Sequence, residues 1–204
     1  MTEDLKKGDV SLLAEVHATT SGLKVYVSTN AANDIEVVHR SMGGYGYSAF
    51  LGLGKLYADY LPATTFEGDN FVLDQQVVRA SLKAHRQLFS LSKPSINSLA
   101  PFSFHLIHLI HRPAESNHPI SKDDWQNPTV SVTLLERRAA LMVHDHARKA
   151  RTPDASANQR LSNAVTQAFV AKRIEDIIGD LRELFEKDRE VVKGVHSGMC
   201  DLHT

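Results

Sequence analysis

Apolar residues recur at intervals of three and four positions along three stretches of the chain, and this spacing predicts helices. The first stretch extends from about Ser11 to Met42, and the second from about Asp69 to Leu91. The third lies beyond Trp125, and we expect it to break into two helices near the segment Arg-Thr-Pro-Asp-Ala-Ser-Ala-Asn. The sequence contains no pair of strand-like segments, no internal repeat and no low-complexity tract. The predicted fold class is therefore all-α, a helical bundle.

The apolar positions also predict which helix faces are buried. In the first stretch, the inward positions are Leu12, Leu13, Val16, Leu23, Val27, Ile35 and Val38. In the second stretch, the apolar positions are Val72, Leu73, Val77, Leu82 and Leu88. The third stretch first contributes Val130, Val132, Leu134, Leu135, Ala139 and Leu141. Its second half carries the clearest stripe in the sequence, formed by Ile174, Ile177, Ile178, Leu181, Leu184 and Phe185.

Two segments interrupt the helical pattern. The first contains glycines at positions 43, 44, 46, 52 and 54, which cannot belong to regular helix without a cost in free energy. The second covers residues 92–128 and contains five prolines, so we expect it to be irregular, with at most a short helix inside.

Composition adds few constraints on function. The chain has 204 residues, of which 42% are apolar and 23% charged, as in soluble globular proteins. A net charge of −1 gives no field that would recruit nucleic acid or an anionic membrane, and no apolar run is long enough to span a bilayer. A single cysteine, Cys200, excludes an intramolecular disulfide. Neither a signal peptide nor a terminal Ser-Lys-Leu signal is found, so we expect an intracellular protein.

The candidate chemistry lies between residues 41 and 80, where a glycine-rich turn and a proline-containing loop precede a carboxylate at a helix start. Thr64 and Thr65 are suitable capping residues for that helix, and Glu67 falls near its first turn. From residue types alone, Glu67 is an ordinary helix cap or a functional acid, and the paired glycines are a simple loop or a phosphate contact.

The order and spacing of three motifs in this segment narrow these alternatives. The motifs are Gly43-Gly44-Tyr45-Gly46-Tyr47, Leu56-Tyr57-Ala58-Asp59-Tyr60 and Thr65-Phe66-Glu67-Gly68-Asp69-Asn70. This order resembles the acyl-CoA oxidase family, in which Gly-Gly-His-Gly-Tyr, Leu-Tyr-x-x-Tyr and Thr-Tyr/Phe-Glu-Gly-Asp/Glu-Asn precede an apolar helix. The resemblance extends over roughly residues 8–204 and is most specific in these motifs. It implies that this chain corresponds to the C-terminal helical region of such a protein.

The resemblance implies an α,β-dehydrogenation of fatty acyl-CoA that releases hydrogen peroxide, with FAD as cofactor. Glu67 corresponds to the base that removes the α-proton, and Gly68 to a substrate contact. The residues that correspond to FAD contacts are Arg40, Ser41, Met42, Gly43, Gly44, Asp69, Asn70 and Phe71. The segment Arg40 to Gly44 would contact the FAD of a neighbouring subunit. The implied partners are fatty acyl-CoA and either a second copy in a homodimer or a chain that supplies the missing flavin-binding domains.

The family also implies a division into domains and a location. Residues 1–91 would form the end of the first C-terminal helical domain, with the glycine-rich turn and the Glu67 loop. Residues 92–128 would form an irregular loop that connects the two domains, and residues 129–204 would form an incomplete second C-terminal helical domain. Family members are peroxisomal, whereas a cytoplasmic location is expected if this chain stands alone, since it carries no targeting signal. A different class of function is a catalytically silent helical module that binds or dimerises, or a truncated gene product.

Several residues depart from the family pattern or suggest other chemistry. Tyr45, Met42 and Phe71 stand where the family has histidine, cysteine and threonine, so the cofactor contacts differ. The histidines at 105, 108, 111, 118, 144 and 146 could ligate zinc or copper, but their spacing does not place them on one helix face. We therefore predict no metal site.

Overall fold

The computed structural model of this chain describes residues 11–90, 99–110, 122–123, 127–149 and 154–200. The α-helices are α1 (Ser11–Ser41), α2 (Leu53–Tyr60), α3 (Asn70–Ser90), α4 (Ile107–Ile110), α5 (Pro128–Arg148) and α6 (Ala155–Cys200). Short 3₁₀ helices cover Gly43–Tyr45, Ala49–Leu51, Leu61–Thr64 and Pro101–Leu106. These ranges contain no strand, and the prediction of an all-α fold is confirmed.

Side-chain caps explain where three of the helices begin. Asp69, Asn127 and Asp154 each accept a hydrogen bond from the backbone amide two residues ahead, at 2.9, 3.0 and 3.1 Å. Each cap satisfies an amide that the first turn of a helix leaves without a partner. The predicted break near Arg-Thr-Pro-Asp-Ala-Ser-Ala-Asn is confirmed, since α5 ends at Arg148 and α6 begins at Ala155.

The core lies where α1, α3, α5 and α6 meet around the 3₁₀ helix Pro101–Leu106. Phe102 and Leu106 project from that short helix and are almost completely buried. The remaining core residues are Ala18, Val77, Val78, Leu88, Ala139, Val143, Leu161, Val165 and Ala168. Helices from both predicted domains therefore contribute to one core, and the division at residues 91 and 129 stays a prediction.

Helix α1 is buried through small residues rather than through its large apolar ones. Its buried positions are Ala18, Ser21, Gly22, Ser28 and Ala32. A Cβ atom at Gly22 would lie 2.6 Å from Oγ1 of Thr166 on α6, so the two helices approach too closely for larger side chains. The prediction that Leu13, Val27 and Val38 face inward is wrong, because each is about half exposed at 50%, 59% and 48%.

The apolar stripe of α6 is also exposed. Its members, Ile174, Ile177, Ile178, Leu181, Leu184 and Phe185, are each between 44% and 66% exposed. The part of α6 that packs on α1, α3 and α5 lies nearer its beginning, around Leu161 and Val165. Among the described helices, none combines the length and the apolarity needed to cross a bilayer.

A buried carboxylate lies between α3 and α6. Asp74 is 3% exposed, and one of its carboxylate oxygens has no hydrogen-bond partner among the described residues. Burial raises the pKa of Asp74 above its usual value of 3.8, the Ser162 hydroxyl opposes this shift, and Asp69 adds to it. The charged form is therefore disfavoured in the folded state.

Asp74→Asn is expected to stabilise the chain at pH 7, because it removes a buried charge and keeps the shape of the side chain. A raised folded-state pKa means that the stability contributed by Asp74 is full below pH 3.8 and is lost as the pH rises through the folded value. The variant should gain on the order of 1 kcal/mol at pH 7, or about 2–4 °C in Tm, and the gain should shrink toward pH 3.8. The measurement is thermal unfolding across pH, with the exposed Asp34→Asn as control; a gain independent of pH would contradict the role of burial.

Candidate functional site

The loop that carries Glu67 connects the 3₁₀ helix Leu61–Thr64 to α3. Thr64 and Thr65 donate their hydroxyls backward, to the carbonyls of Leu61 and Pro62, each at 2.8 Å. Their side chains therefore stabilise the end of the 3₁₀ helix. The residue that caps α3 is Asp69, and the prediction that Thr64 or Thr65 caps that helix is wrong.

Glu67 adopts an unfavourable backbone conformation. Its φ angle is +60°, and it is the one residue other than glycine with positive φ in the described parts of the chain. The next residue, Gly68, has φ +105°. A glutamate in the left-handed region costs about 1–2 kcal/mol, and such strain concentrates at functional sites. The strained residue is the predicted base, and its side chain is exposed to solvent.

Glu67→Asn is expected to raise the free energy of unfolding by about 0.5–1 kcal/mol, because asparagine tolerates the left-handed conformation better than glutamate. Chemical denaturation of the purified chain measures this gain. Glu36→Asn, at a helical position on α1, is the matched control and should destabilise, since asparagine is the poorer helix former. A loss of stability in Glu67→Asn would show that the glutamate side chain makes a stabilising contact here.

Polar side chains of α1 hold the end of this loop. The ammonium group of Lys24 donates to the carbonyl of Gly68 and to Oδ1 of Asn70, both at 2.7 Å. The amide group of Asn70 donates to the hydroxyls of Ser28 and Thr29, both at 3.0 Å. These three residues of α1 were not found from the sequence, because they precede the loop by some forty positions and no local motif marks them.

The glycine-rich turn lies at the end of α1. Gly43 has φ +56°, and a Cβ atom at Gly43 or Gly44 would meet no atom within 4 Å, so the backbone is open to solvent there. Arg40 is exposed and lies 3.2 Å from Glu36. The end of a helix carries a partial negative charge, so Arg40, rather than the helix terminus, is the group here that favours an anion.

In contrast to Gly43 and Gly44, Gly46 is buried against α1. A Cβ atom at Gly46 would lie 2.0 Å from the carbonyl oxygen of His39. The rings of His39 and Tyr47 pack together at an angle of 47° with their centroids 4.5 Å apart, which fixes the turn against the last turn of α1. The histidine that the family carries is Tyr45 here, and its side chain is exposed.

The predicted site residues form two groups. Glu67, Gly68, Asp69, Asn70 and Phe71 lie beside the middle of α1, at the level of Lys24 and Ser28. The segment from Arg40 to Gly44 lies about 20 Å further along the same helix, given a rise of 1.5 Å per residue. A single copy therefore does not bring the two groups to one point.

Two of the histidines considered as metal ligands, His108 and His144, make contacts between helices. His105 is buried, and burial lowers its pKa to about 4, with a further contribution from His108. Nε2 of His108 lies 3.0 Å from Oε2 of Glu136. His144 lies 3.1 Å from His85, Nδ1 to Nε2. Among the described residues, no three histidine, cysteine or acidic side chains come together in a way that could hold a metal ion.

His111, His118 and Trp125 lie outside the described residues.

Comparisons with known proteins identify relatives of the chain. The model of the acyl-CoA oxidase C-alpha1 domain matches residues 1–82. Peroxisomal acyl-coenzyme A oxidase 1 of Arabidopsis thaliana is 38% identical over 143 residues, which are 70% of this chain and 21% of that protein. The solved structure of Arabidopsis thaliana acyl-CoA oxidase 1 superposes with a TM-score of 0.74 at 30% identity, covering 89% of this chain and 28% of that one.

Another solved structure supports the fold alone. Acyl-CoA oxidase-1 of Caenorhabditis elegans, solved with FAD and ATP, gives a TM-score of 0.69 at 24% identity, covering 86% of this chain and 28% of that one. This chain thus spans roughly a quarter of the length of the relatives it matches. The chain is therefore similar to the acyl-CoA oxidase family, in the part that corresponds to the C-terminal helical region of its members.

Proposed function

We propose that this chain supplies the general base of a flavin-dependent acyl-CoA oxidase. The reaction is the α,β-dehydrogenation of a fatty acyl-CoA to trans-2-enoyl-CoA in fatty acid β-oxidation, with release of hydrogen peroxide. The observation that carries the proposal is the strained conformation of Glu67, at φ +60°, within the motif that the family places at its base. Strain at a residue without a function would be removed by a substitution as simple as asparagine.

In this proposal the carboxylate of Glu67 removes a proton from the α-carbon of the thioester. A bound FAD would supply the oxidant for the hydride equivalent that leaves the β-carbon, with dioxygen as the final electron acceptor. A carboxylate becomes a stronger base when water is excluded from it. Glu67 is exposed here, and the side chains of Phe66, Phe71 and Val72 beside it are 56%, 63% and 56% exposed. This apolar rim is the surface that covering domains and an acyl chain would bury.

The residues proposed to contact FAD fit it in part. The open backbone of Gly43 and Gly44 and the exposed Arg40 would accept a phosphate-bearing group that lies close to the chain. Phe71 offers an exposed ring. Met42 is 42% exposed, and the Ser41 hydroxyl already donates to the carbonyl of Val38.

Two other proposed contacts have engaged side chains. Asp69 caps α3, and the amide of Asn70 is bonded to α1. Their contribution to cofactor binding would come through the backbone. Gly68 has φ +105°, where other residues are strained, and a Cβ atom there would lie 3.1 Å from the side chain of Leu73. Glycine is therefore favoured beside the base whether or not substrate is bound.

The separation of the two groups along α1 supports a homodimer, in which the turn Arg40–Gly44 of one copy serves the site of the other. A chain that supplies flavin-binding domains would complete the same site. The names of the relatives support a peroxisomal location for the complete enzyme. The exposure of Glu67 favours the alternative function, a silent helical module that binds or dimerises.

A hybrid oxidase tests the proposal. In it, residues 11–90 of this chain replace the matching segment of Arabidopsis thaliana acyl-CoA oxidase 1. We expect the hybrid to be yellow and to release peroxide with fatty acyl-CoA. The isolated 204-residue chain should retain little flavin and show no turnover. A hybrid that holds FAD but forms no enoyl-CoA would contradict the proposal, and stoichiometric flavin in the isolated chain would contradict its dependence on other domains.

A further inference from the structure

We propose that Lys24 is a positioning residue that holds the Glu67 loop in its strained conformation through its ammonium group. The functional meaning of this inference rests on the proposed role of Glu67 as the base. The structural part concerns this chain alone and requires neither flavin nor substrate.

Lys24 connects two points of the loop on either side of the helix cap. Its Nζ donates to the carbonyl of Gly68 and to the side chain of Asn70, each at 2.7 Å. Asp69, whose side chain caps α3, lies between them in sequence. The ammonium group therefore fixes the peptide between Gly68 and Asp69 and the first residue of α3 relative to α1. Hydrogen bonds from a charged donor are stronger than those between neutral groups.

The acceptor side of this contact is itself fixed. The amide of Asn70 donates to Ser28 and Thr29 at 3.0 Å each, and this orients its oxygen toward Lys24. The hydroxyl of Ser28 donates to the carbonyl of Lys24 at 2.7 Å, and Ser28 is 6% exposed. Ser28 is the buried member of this network, and Lys24, Thr29 and Asn70 are partly buried. Because neighbouring hydrogen bonds orient both partners, the network favours a single geometry.

The loop needs such a contact because none of its own hydrogen bonds holds residues 67 and 68 in their strained conformation. Residues 67 and 68 have φ +60° and +105°, in the region that non-glycine residues avoid. The bonds of Thr64 and Thr65 end before Glu67, and those of Asp69 act on amides after it. The hydrogen bond from Lys24 to the carbonyl of Gly68 is the one, among the described contacts, that acts on the backbone between Glu67 and Asp69.

Amide hydrogen exchange of the 204-residue chain tests the contact. The amides of Phe71, Val72 and Leu73 bond to Asp69, so they report how firmly the start of α3 is held. Lys24→Met keeps the length of the side chain and removes the donor. We expect exchange at these three amides to accelerate about tenfold or more, with core amides such as Val165 unchanged. The exposed Lys83→Met on α3 is the matched control and should change none of them.

Chemical rescue separates the ammonium group from the packing of its stem. Lys24→Cys is prepared in a Cys200→Ser background, so that one thiol remains, and is alkylated with 2-bromoethylamine to restore an ammonium group at nearly the same reach. Restored protection at residues 71–73 supports the proposal. Unchanged exchange in Lys24→Met, an equal acceleration at core amides, or failure of the rescue would each overturn it.

The hybrid oxidase separates this inference from the proposed function. There, Lys24→Met should lower kcat about tenfold or more with KM changed by less than about threefold, because a misplaced base affects the transition state and not the bound substrate. A loosened loop in the isolated chain with unchanged kcat in the hybrid would leave the Lys24 contact standing and would contradict Glu67 as the base.

Discussion

Glu67→Gln is expected to lower kcat of the hybrid oxidase by about 10³-fold, because a positioned general base contributes about 10²–10⁴-fold to such a step. Glutamine has the shape of glutamate and cannot accept a proton at neutral pH. Glu67 is exposed and accepts no hydrogen bond from another described residue, so the loop should keep its conformation. Peroxide release under saturating acyl-CoA measures the loss.

The control for this experiment is the exposed Asp34→Asn on α1, which removes one carboxylate from the same segment and should leave kcat unchanged. The FAD absorbance of both variants should equal that of the parent hybrid, since neither substitution touches the proposed cofactor contacts. If the Glu67→Gln hybrid keeps its flavin and turns over within about tenfold of the parent, another group is the base.

Gly46→Ala is expected to cause the largest loss of stability of any single methyl addition in the glycine-rich turn. The added Cβ would lie 2.0 Å from the carbonyl oxygen of His39 and 3.0 Å from its ring. The carbonyl belongs to the backbone of α1, so no side-chain rotation relieves the overlap. The free energy of unfolding should fall by about 3 kcal/mol, or about 6–12 °C in Tm for a chain of this size.

Gly44→Ala, two residues earlier, is the matched control. A Cβ atom there meets no atom within 4 Å, and its φ is not positive, so Tm should change by less than about 2 °C. Differential scanning calorimetry compares the two variants. Equal behaviour of Gly46→Ala and Gly44→Ala would mean that the turn does not pack on α1 in solution.

The sequence predicted the helices well where strong local signals exist. The apolar spacing predicted each end of α1 and α3 to within one residue, and it also predicted the break before α6. It failed for the buried face of α1, because the hydrophobic pattern favours Leu13, Val27 and Val38. The close approach of α6 at Gly22 instead requires small residues, and this depends on the partner helix and not on α1 itself.

The candidate site was predicted in its order along the chain but not in its geometry. The motif around Glu67 indicated the loop, and the structure adds the strain that a sequence cannot show. The wrong cap prediction for Thr64 and Thr65 arose because a hydroxyl can bond forward or backward, and the preceding 3₁₀ helix decides the direction. Lys24 was not predicted as part of the site, because its contact with Gly68 joins residues 44 positions apart in the sequence.

The length of α1 has a consequence for how proteins with this segment can vary. One helix of 31 residues carries the contact to the Glu67 loop in its middle and the glycine-rich turn at its end. Inserting one residue between Thr29 and His39 would rotate the turn by about 100° relative to the loop, and inserting seven would restore the direction but displace it by about 10 Å. We therefore expect changes in chain length to fall in the connecting loops, while this helix keeps its number of residues.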